Sequence, residues 1–103
     1  MGFLPISRFR IEDDSMRPAL EPGAYVLVNT WAYAFGGPAP GDLVVVRSPE
    51  DRARFLVKRV ASVMASGDVL VMGDNAERSR DSRHFGLVPR RLVVGRVFAR
   101  PKP

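Results

Sequence analysis

A chain of 103 residues with 46% apolar and 26% charged residues has the composition of one folded domain, large enough for a modest core and too small for two. It holds no cysteine and a single histidine, His84, which excludes disulfides, thiolate metal sites and a multi-histidine metal centre. The net charge of +5 arises from 16 basic and 11 acidic residues that are scattered rather than run together, a pattern that argues against a nucleic-acid-binding arm.

Residues 1–6 offer only a few apolar side chains before Arg8 and Arg10, too short a run for the core of an export signal or for a membrane span, and no later run reaches 18 apolar residues. The expectation is a chain that does not cross a bilayer, cytoplasmic by default, with peripheral attachment at the plasma membrane as the alternative. Residues 9–11 read as a short first strand. Asp13-Asp14-Ser15-Met16-Arg17-Pro18 follows, and it suits neither a strand nor a helix interior, because Pro18 restricts its own backbone and that of Arg17. A turn or short helix cap is the plain reading of this segment; a reactive hydroxyl held in a fixed shape is the functional one.

Glu21-Pro22-Gly23 is a turn, and residues 24–29 form the second strand. Trp31, Tyr33 and Phe35 then alternate with small residues, which points all three to one side if the segment is extended. They either form an apolar ledge for substrate or a membrane surface, or cover one end of the core. After a Gly/Pro-rich break at residues 36–41, residues 42–47 are a valine-rich strand closed by Ser48-Pro49-Glu50-Asp51. Residues 55–64 and 69–72, joined by the tight turn Ser66-Gly67-Asp68, pair as a hairpin. Residues 92–99 are the last strand, and Pro101-Lys102-Pro103 is a frayed tail. Six short strands, nine glycines, nine prolines and no sustained helical period predict one mainly β domain over residues 1–103, compact, antiparallel and closed on itself.

Fourteen of the 16 basic residues are arginines, and the only lysine inside the chain is Lys58. Unlike arginine, lysine can lose its proton. Period two places Leu56, Lys58, Val60, Ser62 and Met64 on one strand face, so Lys58 has apolar neighbours, and burial there would lower the pKa of its amine. Snorkelling to water or pairing with a carboxylate is the commoner fate of a strand lysine. The polar loop 73–89, rich in Asp, Asn, Ser and Arg, is either functional or held by its own hydrogen bonds. Peptide hydrolysis by a hydroxyl needs a nucleophile, a base and donors for the oxyanion, and Ser15 with Lys58 are candidates for the first two. A histidine triad from Asp81 and His84 ranks lower, since the two lie three apart on a polar loop where nothing in the sequence buries the aspartate.

Ser15-Met16-Arg17-Pro18, the stretches 25–29 and 32–36, Gly41-Asp42-Leu43-Val44-Val45, Lys58-Arg59-Val60 and the run from Gly73-Asp74-Asn75 through Ser79, Asp81-Ser82-Arg83, Gly86 and Val88-Pro89 together resemble the signal peptidase I family. The boxes stand in the family's order and span nearly the whole chain. The resemblance implies a β-rich serine endopeptidase in which Ser15 attacks the scissile carbonyl, Lys58 is the general base, the Ser79 hydroxyl orients the lysine amine, and the Ser15 backbone N–H is an oxyanion donor. It further implies that Arg59 with Asp74, and Asp81 with Arg83, are ion pairs bracing the site, that no metal or other cofactor is needed, and that the partner is a precursor protein with small side chains before the cut. Peripheral membrane contact would run through Trp31, Tyr33 and Phe35.

The chain departs from the family pattern two residues before the nucleophile, where serine or glycine is usual and Asp13 stands here. An ionised carboxylate aimed at a developing oxyanion opposes catalysis, so Asp13 points away, or is protonated, or lowers activity. Only 12 residues separate Lys58-Arg59-Val60 from Gly73-Asp74-Asn75, which leaves no room for the extra β domain of many bacterial members. The reading adopted is a protease that removes N-terminal leaders. The alternatives are a soluble maturation protease of nickel-type superoxide dismutase, a self-cleaving repressor domain, which would need an attached DNA-binding segment, and an inactive membrane- or protein-binding module of the same fold.

Overall fold

The computed structural model describes residues 5–100, so the tail 101–103 and residues 1–4 lie outside the described residues. Six strands, β1 (Ile6–Arg10), β2 (Tyr25–Asn29), β3 (Leu43–Arg47), β4 (Phe55–Val63), β5 (Val69–Met72) and β6 (Val93–Ala99), form one antiparallel sheet in the order β1-β2-β6-β3-β4-β5. The expected mainly β, antiparallel domain is present, and residues 69–72 pair with β4 as the expected hairpin. Closure is not: the sheet is open, with β1 and β5 at its two edges. The outer side of β5 is covered instead by a single bridge between Val69 and Val88.

β3 is buried on both faces, because Val44, Val45 and Val46 are each fully enclosed. Alternation sends Val44 and Val46 into one cluster with Val60, Val69, Val71, Val88 and Leu92. Val45 turns the other way, into a cluster with Ile11, Met16, Leu20, Val26 and Val28. Lys58 pairs with Val44 and so lies on the first face; Met16, next to Ser15, anchors the second. Burying a side chain the size of Met16 contributes about 1.5–3 kcal/mol, enough to fix the turn that carries the serine.

The predicted face of β4 holds only as far as Val60. A register shift between Val60 and Ser62 reverses the alternation, so Val63 rather than Ser62 packs on the core and Met64 is exposed. Trp31, Tyr33 and Phe35 do not share a face, because residues 30–36 turn rather than extend. Tyr33 packs against the first cluster and donates its hydroxyl to Asp42 Oδ2 at 2.6 Å, while Trp31 and Phe35 are exposed. The loop 73–89 contains a 3₁₀ turn (Ala76–Arg78) and a one-turn helix α1 (Ser82–Phe85).

Candidate active site

Ser15 sits in a tight turn between β1 and β2, with its backbone held by the polar loop. Asn75 N–H donates to Ser15 O at 2.8 Å, the Asn75 side-chain amide donates to Asp14 O at 3.0 Å, and Asp74 N–H contacts Met16 Sδ at 3.3 Å. Gly73 makes this approach possible. A Cβ there would lie 2.0 Å from Ser79 Oγ and 2.8 Å from Ser15 O, so no side chain fits between the two serines.

Lys58 is buried at 2% exposure, and its amine donates to Ser79 Oγ at 3.0 Å. Neither snorkelling nor direct pairing with a carboxylate occurs. Ser79 Oγ in turn donates to Asp81 Oδ2 at 2.8 Å. Burial pushes the Lys58 amine below its ordinary pKa; the Asp13 and Asp81 carboxylates pull it back up, and Arg54 and Arg83 add to the lowering. With the charged form disfavoured, the amine is suited to accepting a proton.

Asp81 is fully buried, contrary to the expectation from its polar loop. α1 carries its own capping box around this residue, and the carboxylate also reaches inward. Oδ2 accepts from Gly73 N at 2.8 Å, Ser79 Oγ and Arg83 Nη2 at 2.9 Å; Oδ1 accepts from Arg83 N at 3.1 Å and Arg83 Nε at 2.9 Å. Burial by itself would raise this pKa, but the Arg83 guanidinium and the other donors outweigh it and hold the carboxyl well below the usual range. His84 is half-exposed and its Nδ1 accepts from Asp81 N–H at 3.3 Å, so the imidazole caps a helix and sits in no triad with a serine. Arg59 binds Asp74 through two hydrogen bonds, Nε to Oδ1 at 3.0 Å and Nη2 to Oδ2 at 2.8 Å, and its Nη1 donates to Gly41 O at 3.1 Å. That guanidinium joins three of the sequence boxes.

Ser15 and Lys58 line one cleft of about 390 Å³, together with Ile11, Asp13, Arg54 and Leu56. The cleft runs between two strand edges. Among the described residues β1 pairs only with β2, and β5 pairs only with residues from Arg59 onward, so residues 55–58 of β4 have a ladder partner on the β3 side alone. Phe9 and Phe55 meet across it with ring centroids 5.1 Å apart. Unpaired edges of this kind accept an extended peptide as an added strand.

Asp13 faces the site. Its Oδ1 accepts the Ser15 backbone N–H at 3.1 Å, and its Oδ2 lies 3.9 Å from Arg54 Nη2. Arg54, Gly73 and Asn75 were not legible as site residues. Gly73 and Asn75 stand in a recognisable box without their role being apparent, and Arg54 carries no signal in a chain with fourteen arginines.

The family described as "Signal peptidase, peptidase S26" matches residues 2–65 and 61–101. The chain is 35% identical to the mitochondrial ATP-independent inner membrane protease subunit 1a of Arabidopsis thaliana, covering 95% of this chain and 71% of that protein. It is 30% identical to the mitochondrial inner membrane protease subunit 1 of Homo sapiens, covering 82% of this chain and 62% of the relative. To signal peptidase IB of Staphylococcus aureus it is 26% identical, over 97% of this chain and 80% of that one.

Proposed function

The chain belongs to the signal peptidase family, peptidase S26, and we propose that it is a serine endopeptidase that removes N-terminal leaders from precursor proteins through Ser15 and Lys58. The observation that carries this reading is the buried Lys58 amine, hydrogen-bonded to Ser79 Oγ at 3.0 Å and lining the same cleft as Ser15. In the proposed reaction the neutral amine takes the Ser15 hydroxyl proton as Oγ bonds to the scissile carbonyl carbon. The tetrahedral oxyanion is held by the Ser15 backbone N–H. The C–N bond then breaks, Lys58 returns the proton to the leaving amine, and an ester on Ser15 remains. A water molecule gives Lys58 a proton, attacks the ester, and the proton passes back to Ser15 Oγ as the acid product leaves.

Ser79 supports the base by accepting from its amine while donating to Asp81, which fixes where the amine points. Substrate docks along the free edges of β1 and β4, with small residues before the cut. Trp31 and Phe35, both exposed on the turn 30–36, are proposed as a peripheral membrane contact; Tyr33 is committed to the core and to Asp42. Sedimentation with lipid vesicles before and after Trp31→Ala and Phe35→Ala tests that contact.

The decisive experiment is cleavage of a panel of leader-bearing precursors by the wild type, Ser15→Ala and Lys58→Met. Cutting by the wild type alone is the expected result, and cutting that survives both substitutions refutes the pair.

A further inference from the structure

The Ser15 backbone N–H, the donor that the proposed reaction needs for its oxyanion, already has an acceptor. Asp13 Oδ1 sits on it at 3.1 Å, in the direction from which a substrate carbonyl oxygen would bind. Asp13 also lines both the peptide cleft and a smaller cavity of about 50 Å³, which Lys58 lines as well and where Ser48, Glu50, Arg54 and Arg80 are its neighbours. Its side chain is 47% exposed, so solvent borders it on the side away from Ser15 N–H. We infer that Asp13 is a gate residue, an internal stand-in for the substrate carbonyl that holds the oxyanion donor in the empty site and has to swing away before the scissile peptide can bind. This deepens the peptidase reading and rests on it.

The destination of the displaced carboxylate is visible. Arg54, on the turn between β3 and β4, already lies 3.9 Å from Asp13 Oδ2, and a small rotation exchanges the backbone N–H for the guanidinium. The groups around Asp13 explain why it stays near the site: Lys58 on β4 and Arg54 attract it, while Glu12 and Asp14 on its own turn and Glu50 across the small cavity repel it. Glu50 is itself engaged by Arg80, Nε to Oε1 at 2.7 Å, which mutes that repulsion. The same carboxylate favours the protonated Lys58 amine. An occupied donor and a more basic lysine both restrain the free site, and both restraints leave together when Asp13 moves.

Two substitutions separate these effects. Asp13→Asn keeps an acceptor for the Ser15 N–H but removes the charge, so the acid limb of the pH–rate profile moves to lower pH with little gain at the plateau. Asp13→Ala removes both, so the acid limb moves and the plateau kcat/KM rises, by about tenfold for loss of one half-exposed charged hydrogen bond. An Asp13→Ala plateau no higher than that of wild type overturns the gate.

A second measurement is independent of activity. In the wild type the Ser15 amide proton, donating to a carboxylate, is expected downfield and slow to exchange in NMR spectra, and in Asp13→Ala it is expected to move upfield and exchange faster. A Ser15 amide whose shift and exchange are the same in both proteins overturns the contact. If neither protein cuts any leader substrate, the peptidase reading falls and takes the gate with it, while the amide comparison still decides whether Asp13 occupies the donor.

Discussion

Asp81→Asn isolates the buried anion behind the lysine. The amide must replace one carboxylate oxygen by an NH₂ group, and either choice sets donors against donors. At the Oδ2 position the NH₂ would face Gly73 N–H, the Ser79 hydroxyl and Arg83 Nη2; at Oδ1 it would face Arg83 N–H and Nε. The second is cheaper and forfeits two hydrogen bonds to a charged group, about 1.5–3 kcal/mol each when buried. Arg83 is 39% exposed in its side chain and regains water, so the total belongs at the low end, about 3 kcal/mol. For a domain whose whole stability is about 5–15 kcal/mol that is a large share, and it lowers the urea midpoint by about 1–3 M.

The pH dependence provides an internal control. The folded-state pKa of Asp81 is depressed, so its contribution is fully present above the unfolded carboxyl value of about 4 and is lost as pH falls below it. The gap between wild type and variant in urea melts is therefore expected to narrow between pH 7 and pH 3. A midpoint shift below about 0.3 M at pH 7, or a gap that does not change with pH, refutes the account of Asp81 as an anion held by its donors.

Lys58→Met is expected to abolish cleavage and yet to stabilise the fold, by on the order of 1 kcal/mol, since a chain of similar volume replaces a buried cation. Its sign follows from a folded pKa below the unfolded value of about 10.4: the wild type loses stability as pH falls through that window, so the gain seen in thermal melts is largest at low and neutral pH and fades toward pH 10. The same depression sets the activity profile, with kcat/KM rising with pH and reaching its plateau below the ordinary lysine pKa. Gly73→Ala drives a methyl group into Ser79 Oγ and Ser15 O, and cleavage is expected to fall at least tenfold, about 1.4 kcal/mol in the barrier; full activity would show that the two serines need no such proximity.

The parts of the fold legible in the sequence were those governed by local chemistry. Valine runs and Gly/Pro punctuation located β2 to β6 to within a residue, and Ser66-Gly67-Asp68 announced the β4–β5 hairpin, whereas β1, read as residues 9–11, has no valine and runs over Ile6–Arg10. What escaped was decided at a distance. The shift after Val60 depends on how β5 pairs, and the turn at Trp31 to Phe35 depends on Asp42 capturing the Tyr33 hydroxyl. Asp81 looked like loop polarity because its burial is made by Gly73, Ser79 and Arg83 together. Asp13 was conspicuous as a departure, but whether it points away from the site was open, and the 3.1 Å contact with Ser15 N–H shows that it does not.

Two carboxylates thus act on one lysine by different routes. Asp81 is held by five hydrogen bonds and reaches Lys58 through Ser79, so no single side-chain rotation removes its charge. Asp13 is half-exposed, with one hydrogen bond to Ser15 N–H and a distant arginine. Burial must outweigh both if the amine is to be neutral in the working pH range, and only one of the two opposing charges can be removed by a side-chain rotation. It follows that substitutions at Asp13 should move the acid limb of the pH–rate profile differently in free and substrate-bound protein, shifting kcat/KM, which reports the free site, more than kcat, which reports the occupied one. Equal shifts in both would mean that Asp13 stays beside Lys58 throughout the reaction.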